Sequence, residues 1–317
     1  MKRKTAKLLK IILPLVLGVV LVWYSLSKIS VEDLIGYFKN ADYGYIGLGL
    51  LFGLLSHLSR AYRWKYMIEP MGYTLRLPNS IMAVFATYLV NYTIPRAGEI
   101  TRATILTNYE GVPFEKGFGT IVAERVADMV VMLGIITITL FLEFEFIYQF
   151  FSERFNPNKL IIGGSIGLVI LGLVFTFLKK SSSPFAIKVR AFISGLIEGI
   201  LSIFKMKHKW AFIAHTLFIW LMYVLMFYIT TFSIPETSNL PIAAVLIGFI
   251  SASFSIAATN GGIGSYPVAV YAAFSIFAIA KEPSIAFGWI MWSSQTLMII
   301  VLGGISLIYL PIYNRTK

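Results

Sequence analysis

Two short clusters of charged side chains and one glycine-rich turn stand out in an apolar chain. Arg96, Glu99 and Arg102 recur at i, i+3 and i+6 directly after Pro95. On a helix that begins near Pro95 they share one side and can interact. Proline suits the first helical position, so the residues after it present free N–H groups and a positive dipole end. Two guanidinium groups added there make a place to hold a phosphate. Glu99 would orient an arginine or meet a cationic headgroup. The second cluster is Glu124, Arg125 and Asp128. Glu124 and Asp128 share a face at i, i+4, and Arg125 reaches Asp128 at i+3. Such charges should face a polar interior and find partners, Arg96 or Arg102 among them. A structural ion pair that fixes helix packing is the other reading. In Asn260-Gly261-Gly262-Ile263-Gly264, glycine lets backbone approach a ligand, and successive N–H groups can form an anion nest. A plain tight turn explains the same residues.

These groups sit among membrane-type segments. Of the 317 residues 57% are apolar and only 13% charged, with 27 Lys and Arg against 15 Asp and Glu. Soluble domains carry roughly 25% charged residues, so the composition excludes disorder and argues against a soluble enzyme. The net charge of +12 then reads as a topology and lipid-surface signal, with no nucleic acid implied. Apolar runs near the roughly 20 residues that span a bilayer lie at about 11–26, 43–59, 117–142, 160–178, 210–232 and 285–310. The basic N-terminus precedes a retained first helix, since no Ala-x-Ala pattern follows it. With no cysteine, disulfides and thiol-ligated metals are excluded.

Two regions break the pattern. The apolar stretch 81–90 is half the length of a span and runs into Asn91, Pro95 and the first charge cluster. The stretch 241–258 runs into the glycine turn. Irregular backbone at membrane depth needs protein or a wet cavity around it, so both regions are expected to be re-entrant helical hairpins. With the N-terminus inside, 21 of the 27 basic residues fall on the cytoplasmic side and 5 outside, with Arg125 inside a span, the positive-inside pattern. Each half then reads span, span, hairpin, span in opposite orientation, an inverted repeat over about 8–142 and 160–310. The two breaks occupy matching positions, which is where such folds bind substrate. Ser183-Pro184 opens an expected amphipathic linker helix over about 184–206. The fold class is therefore all-α, a polytopic integral membrane protein of one domain over 1–317.

His57, His208 and His215 are scattered, with no His-x-x-x-His pair, so no metal is expected. A buried histidine bonded to a backbone carbonyl is the simplest account of the two within spans. Trp23, Tyr43, Tyr45, Trp64, Tyr66, Trp210, Tyr309 and Tyr313 lie near span ends and read as interfacial belts.

The run Asn91-x-x-x-Pro95-Arg96-x-Gly98-Glu99-x-x-Arg102, then Glu124-Arg125-x-x-Asp128, then Gly261-Gly262-x-Gly264, resembles the lysylphosphatidylglycerol synthase transmembrane-region family, also called the flippase-like domain family. The likeness covers nearly the whole chain. It implies movement of lipid across the bilayer, with Arg96, Glu99, Arg102, Glu124, Arg125, Asp128 and the Gly261–Gly264 turn along the lipid path. The chain departs from the family at Asn260, where Pro is common, and at Ser265, Tyr266 and Pro267, where an acid often follows the turn. No aminoacyltransferase domain follows the last span, so lipid aminoacylation by this chain is not expected. The expected function is translocation of a phosphate-containing lipid, a phospholipid or a polyprenyl-phosphate carrier, between leaflets, without enzymatic chemistry or a cofactor. No Gly-x-x-x-x-Gly-Lys-Ser/Thr motif occurs, so ion coupling, membrane potential or a downhill gradient must drive it. The alternatives are a membrane enzyme acting on lipid phosphates and a non-transporting scaffold for envelope-biosynthesis enzymes. The partners are membrane lipids, and the expected location is the plasma (inner) membrane with both termini cytoplasmic.

Overall fold

The structure, a computed structural model, describes residue 16 and residues 18–94, 97–145, 148–149, 157–187, 189–190 and 206–315. Among these the chain is α-helical with short 3-10 turns and no strand. Residues 18–26 are helical. Then come α1 (Val31–Asn40), α2 (Tyr43–Ile68), α3 (Leu77–Thr93), α4 (Ala97–Glu110), α5 (Phe114–Leu142), α6 (Pro157–Lys180), α7 (Lys209–Thr231), α8 (Ile242–Ala258), α9 (Ser265–Phe274) and α10 (Lys281–Tyr313). By length and apolar content α5, α7 and α10 suffice to cross a membrane. The fold is that of an all-α polytopic membrane protein. Much of the anticipated linker helix, residue 188 and residues 191–205, lies outside the described residues, as do most of the N-terminal run before residue 18 and Pro95 with Arg96.

The helix starts follow local chemistry. Ser30 Oγ accepts from Asp33 N at 3.0 Å to cap α1, and Glu32 and Asp33 complement its dipole. Asp42 Oδ1 accepts from Gly44 N at 2.8 Å at the head of α2. Ser183 Oγ accepts from Ala186 N, the cap its sequence position implies. One boundary differs from the sequence reading. The second span was placed at 43–59, with Arg60 and Arg63 beyond it on the cytoplasmic side, but α2 continues without a break to Ile68. Nothing between 59 and 68 stops a helix, and Ser59, Arg60, Arg63 and Trp64 are buried instead of solvated.

The chain forms two compact units. In the second, residues 123–209, Arg190 donates to the carbonyls of Lys179 and Ser181 and so closes the C-terminus of α6. In the first, residues 1–122 with 210–317, α10 is the spine and packs on α1, α2, α3 and α9. Gly303 of α10 lets α3 approach, since a Cβ there would stand 2.9 Å from Phe85 O and 2.7 Å from Leu89 Cβ. Phe227 ties α7 to α8, α9 and α10 through edge contacts with Phe249, Phe274 and Phe287 at 5.2–6.3 Å.

Both broken regions form antiparallel helical hairpins. The base of the first is closed by Arg76, which donates to Glu110 Oε1 at 3.0 Å and to the Tyr109 carbonyl, while Asn79 donates to the same carboxylate. Asn314, at the end of α10, accepts from both Arg76 and Asn79. In the second, Gly248 meets Phe274 near the base and Ser255 Oγ meets Ser265 Oγ at 2.7 Å near the tip. The helices of 17 and 14 residues in the first hairpin, and of 17 and 10 in the second, are each shorter than a full span.

Removing one partner at the hairpin base leaves a largely buried charge without its counter-ion. Arg76→Ala and Glu110→Ala should each destabilise the detergent-solubilised protein by about 2–3 kcal/mol. The double variant should cost less than their sum by at least about 1 kcal/mol. Strictly additive losses in thermal or denaturant unfolding would show that the pair is not coupled.

Candidate functional site

The first hairpin turns tightly because Gly98 has no side chain. A Cβ at that position would run into the Thr87 carbonyl and stand 2.8 Å from the Asn91 side chain. The close approach lets Asn91 Oδ1 accept from Gly98 N at 2.8 Å and Thr87 Oγ1 donate to Gly98 O at 3.1 Å. Asn91 therefore caps α4 from across the turn. Its amide oxygen serves the first turn of the helix that carries Glu99 and Arg102. Arg96 lies outside the described residues.

Arg102 is 2% exposed, and its guanidinium lies over the Trp64 ring, 3.8 Å from the centroid. Trp64 is itself fully buried and donates Nε1–H to Thr120 Oγ1 at 2.8 Å, so the ring facing Arg102 is held in one orientation. Sequence position put Trp64 in an interfacial belt. That reading is corrected here, because one turn beyond Arg60 and next to Arg63 it faces the protein. Trp23, Tyr43, Trp210 and Tyr309 are exposed, as belt residues should be. Arg60 and Arg63 are 3% and 0% exposed. Arg63 donates to Thr216 Oγ1 at 2.7 Å and lies 5.0 Å over Phe212. Sequence reasoning missed both as site residues. The signal was their i, i+3 spacing on the face of α2 that also bears Ser56, Ser59 and Trp64, all buried.

Glu99 is half-buried in the first turn of α4, and its Oε2 is sealed from solvent with no hydrogen-bond partner. Glu124 and Asp128 are buried together on one face of α5. Arg125 turns outward, its side chain 46% exposed, and reaches Asp128 Oδ2 at 3.8 Å. The i, i+4 and i, i+3 relations read from the sequence hold.

The glycine turn forms the tip of the second hairpin. Gly261, Gly262 and Gly264 have φ of +63°, +81° and +68°, angles that favour glycine. Two of the turn's N–H groups are engaged locally, Gly262 N with Thr259 Oγ1 at 3.1 Å and Ile263 N with Asn260 O at 3.4 Å. The turn is a junction as well. The Tyr92 ring, at the tip of the first hairpin, lies flush against Gly261. Trp292 of α10 donates to Gly261 O at 2.7 Å, and Thr296 donates to Tyr92 OH at 3.2 Å. Gly264 abuts the backbone of Leu21 and Val22, and Trp289 donates to Ser25 Oγ at 3.0 Å. The structure thus brings the tips of both broken regions together and seats helix 18–26 on the second.

The histidines depart from expectation. His215 Nδ1 meets the Ser59 hydroxyl at 2.8 Å, not a backbone carbonyl. His57 packs among Phe85, Tyr88 and Tyr223, and its Nδ1 has no partner.

Comparison with known proteins agrees with this architecture. The model of the Lysylphosphatidylglycerol synthase TM region matches residues 11–304. A UPF0104 membrane protein of Methanocaldococcus jannaschii is 25% identical over 308 residues, 88% of each chain. A UPF0104 membrane protein of Pyrococcus horikoshii is 24% identical over 198 residues, 60% of this chain and 53% of that one. The glycosyltransferase AglD of Haloferax volcanii is 24% identical over 113 residues, 35% of this chain and 18% of that protein. No solved structure matches.

Two substitutions separate the elements of the first turn. Asn91→Ala, which removes a cap, should cost about 1 kcal/mol. Gly98→Ala should cost more, about 2–3 kcal/mol, because backbone must shift to admit the methyl group. Equal, small effects in thermal unfolding would mean that α3 and α4 are not held at this separation.

Proposed function

We propose a lipid-translocating role for this chain, which belongs to the Lysylphosphatidylglycerol synthase TM region family. The substrate is a lipid bearing a phosphate, on a phospholipid or a polyprenyl carrier, and the activity is passage of its headgroup between leaflets without bond chemistry. The observation that carries this reading is the burial of Arg60, Arg63 and Arg102 in one compact unit of a membrane chain that is only 13% charged. A charge at a helix centre costs roughly 2.5–3.5 kcal/mol on insertion scales, and ionisable residues held there mark substrate or ion paths. Arginine is the side chain suited to phosphate, through its planar fork of donors. The family's name refers to a lipid-modifying enzyme's membrane region, and one relative carries a glycosyltransferase's name. Both names fit work on membrane-carried phosphate groups.

In this reading the two hairpins re-enter the membrane from opposite sides, as the halves of an inverted repeat, and their tips meet at Tyr92 and Gly261. Short helices whose ends are satisfied by protein are what re-entry requires. The headgroup phosphate pairs with Arg102 and its neighbours while the tails remain in lipid. Glu99, with one carboxylate oxygen sealed and without a partner, is a candidate proton carrier, and Glu124 and Asp128 are candidates by residue type. The protein sits in the plasma membrane with both termini in the cytoplasm, alongside enzymes of envelope biosynthesis.

The test is leaflet exchange of fluorescent phospholipids and polyprenyl phosphates in proteoliposomes. Wild-type protein should accelerate exchange of at least one of them. Arg102→Ala and the isosteric Glu99→Gln should each slow it tenfold or more, with the protein still folded by its melting curve. Full-rate exchange by both variants would sink the site assignment. Binding without exchange by the wild type would replace transport with a scaffold role.

A further inference from the structure

We infer that His57, Tyr88, Trp220 and Tyr223 form a recognition site for a hydroxyl-bearing headgroup, a glycerol or a sugar, attached to the lipid phosphate; this rests on the lipid reading above. Two buried polar atoms in this cluster have no hydrogen-bond partner, His57 Nδ1 and Trp220 Nε1. Both rings pack on the same side chain: the His57 and Trp220 centroids each lie 6.0 Å from that of Tyr223, with Trp220 at 90° to it. Tyr88 covers the His57 ring at 4.6 Å, and its hydroxyl stands 3.4 Å from the Tyr223 hydroxyl. His57 is 7% exposed. Phe85 of α3 and Phe249 of α8 close the two sides, edge-on to His57 and Trp220 respectively.

The chemistry of the unmatched atoms defines the ligand. An indole N–H only donates, whereas the unpaired nitrogen of a neutral imidazole accepts when the other carries the proton. A buried polar atom without a partner is costly, so two beside one tyrosine point to a group that supplies both complements. Alcohol hydroxyls do so, since each can both accept, as Trp220 requires, and donate, as His57 requires. A bare phosphate oxygen answers only the indole. The aromatic faces suit the C–H faces of a sugar or glycerol. Position supports the assignment. His57 lies near the middle of α2 and Trp220 and Tyr223 near the middle of α7. These are the helices that precede the two hairpins, and α3 and α8 are the hairpins' first arms. The cluster therefore lies where the matching parts of the two halves meet, the usual place for a transporter's substrate.

The experiment is native mass spectrometry of the full chain with paired lipids that differ only in hydroxyl content. One pair is phosphatidylglycerol against phosphatidic acid with the same acyl chains. The other is a monoglycosylated polyprenyl phosphate against the bare polyprenyl phosphate. In one pair the hydroxylated lipid should bind about tenfold better, and which pair does so separates glycerol from sugar. His57→Phe and Trp220→Phe keep a ring and remove the orphan atom. Each should cut the preference at least threefold while leaving affinity for the hydroxyl-free lipid unchanged. Neither should lower the melting temperature, since each removes an unmatched polar atom. An unchanged preference in both variants, or a lowered melting temperature in both, overturns the assignment. Phosphate-lipid binding with no hydroxyl preference overturns it alone, whereas binding of no phosphate lipid removes the lipid reading as well.

Discussion

The architecture of the first hairpin depends on a missing methyl group. With no Cβ at residue 98, α4 can lie against the Thr87 carbonyl of α3, close enough for Asn91 to reach its first turn. Once α4 is seated there, its helical repeat carries Arg102 onto the face of Trp64. Trp64 in turn is aligned by Thr120. A single close backbone approach therefore sets the position of a charged group about one turn further along, and a chain of side-chain contacts passes that position to α2 and α5. Packed interiors transmit such constraints because they contain little free volume.

The same economy governs the buried charges. Arg102 and Arg63 each set the guanidinium over an aromatic ring, Trp64 and Phe212. A ring can answer a cation's flat face while leaving the in-plane N–H groups to other partners, as Arg63 does with Thr216. Aromatic support thus helps to hold a guanidinium in an apolar setting alongside its hydrogen bonds.

Much of this was legible in the sequence, and the misses share a cause. The breaks at Asn91 and at the glycine turn were visible because Pro, Gly and charge interrupt apolar runs of half length. The i, i+4 pairing of Glu124 and Asp128 follows from helix periodicity alone. The four-residue spacing of Gly49 and Gly53 reads as a weak contact signal, yet both glycines meet α7 at Thr230 and Met226. Arg60, Arg63 and Trp64 were misread because a basic, aromatic helix end looks the same to hydropathy whether it faces water or protein. Only the long-range partners distinguish them, and Thr216 lies 153 residues from Arg63. The meeting of Tyr92 with Gly261, likewise, is a tertiary fact that no local pattern encodes.

The seat of helix 18–26 on the second hairpin tip has a consequence for biogenesis. Ser25 and Trp289, joined by a hydrogen bond, are 264 residues apart. At roughly 5–20 residues per second, translation reaches Trp289 roughly 13–53 s after Ser25. Through that interval the first helix leaves the ribosome without its docking surface and must wait, held by lipid or by the insertion machinery. Synthesis of α10 thus completes the seat of helix 18–26, so a ribosome that stalls before α10 leaves a nascent chain whose N-terminal helix has no partner for Ser25.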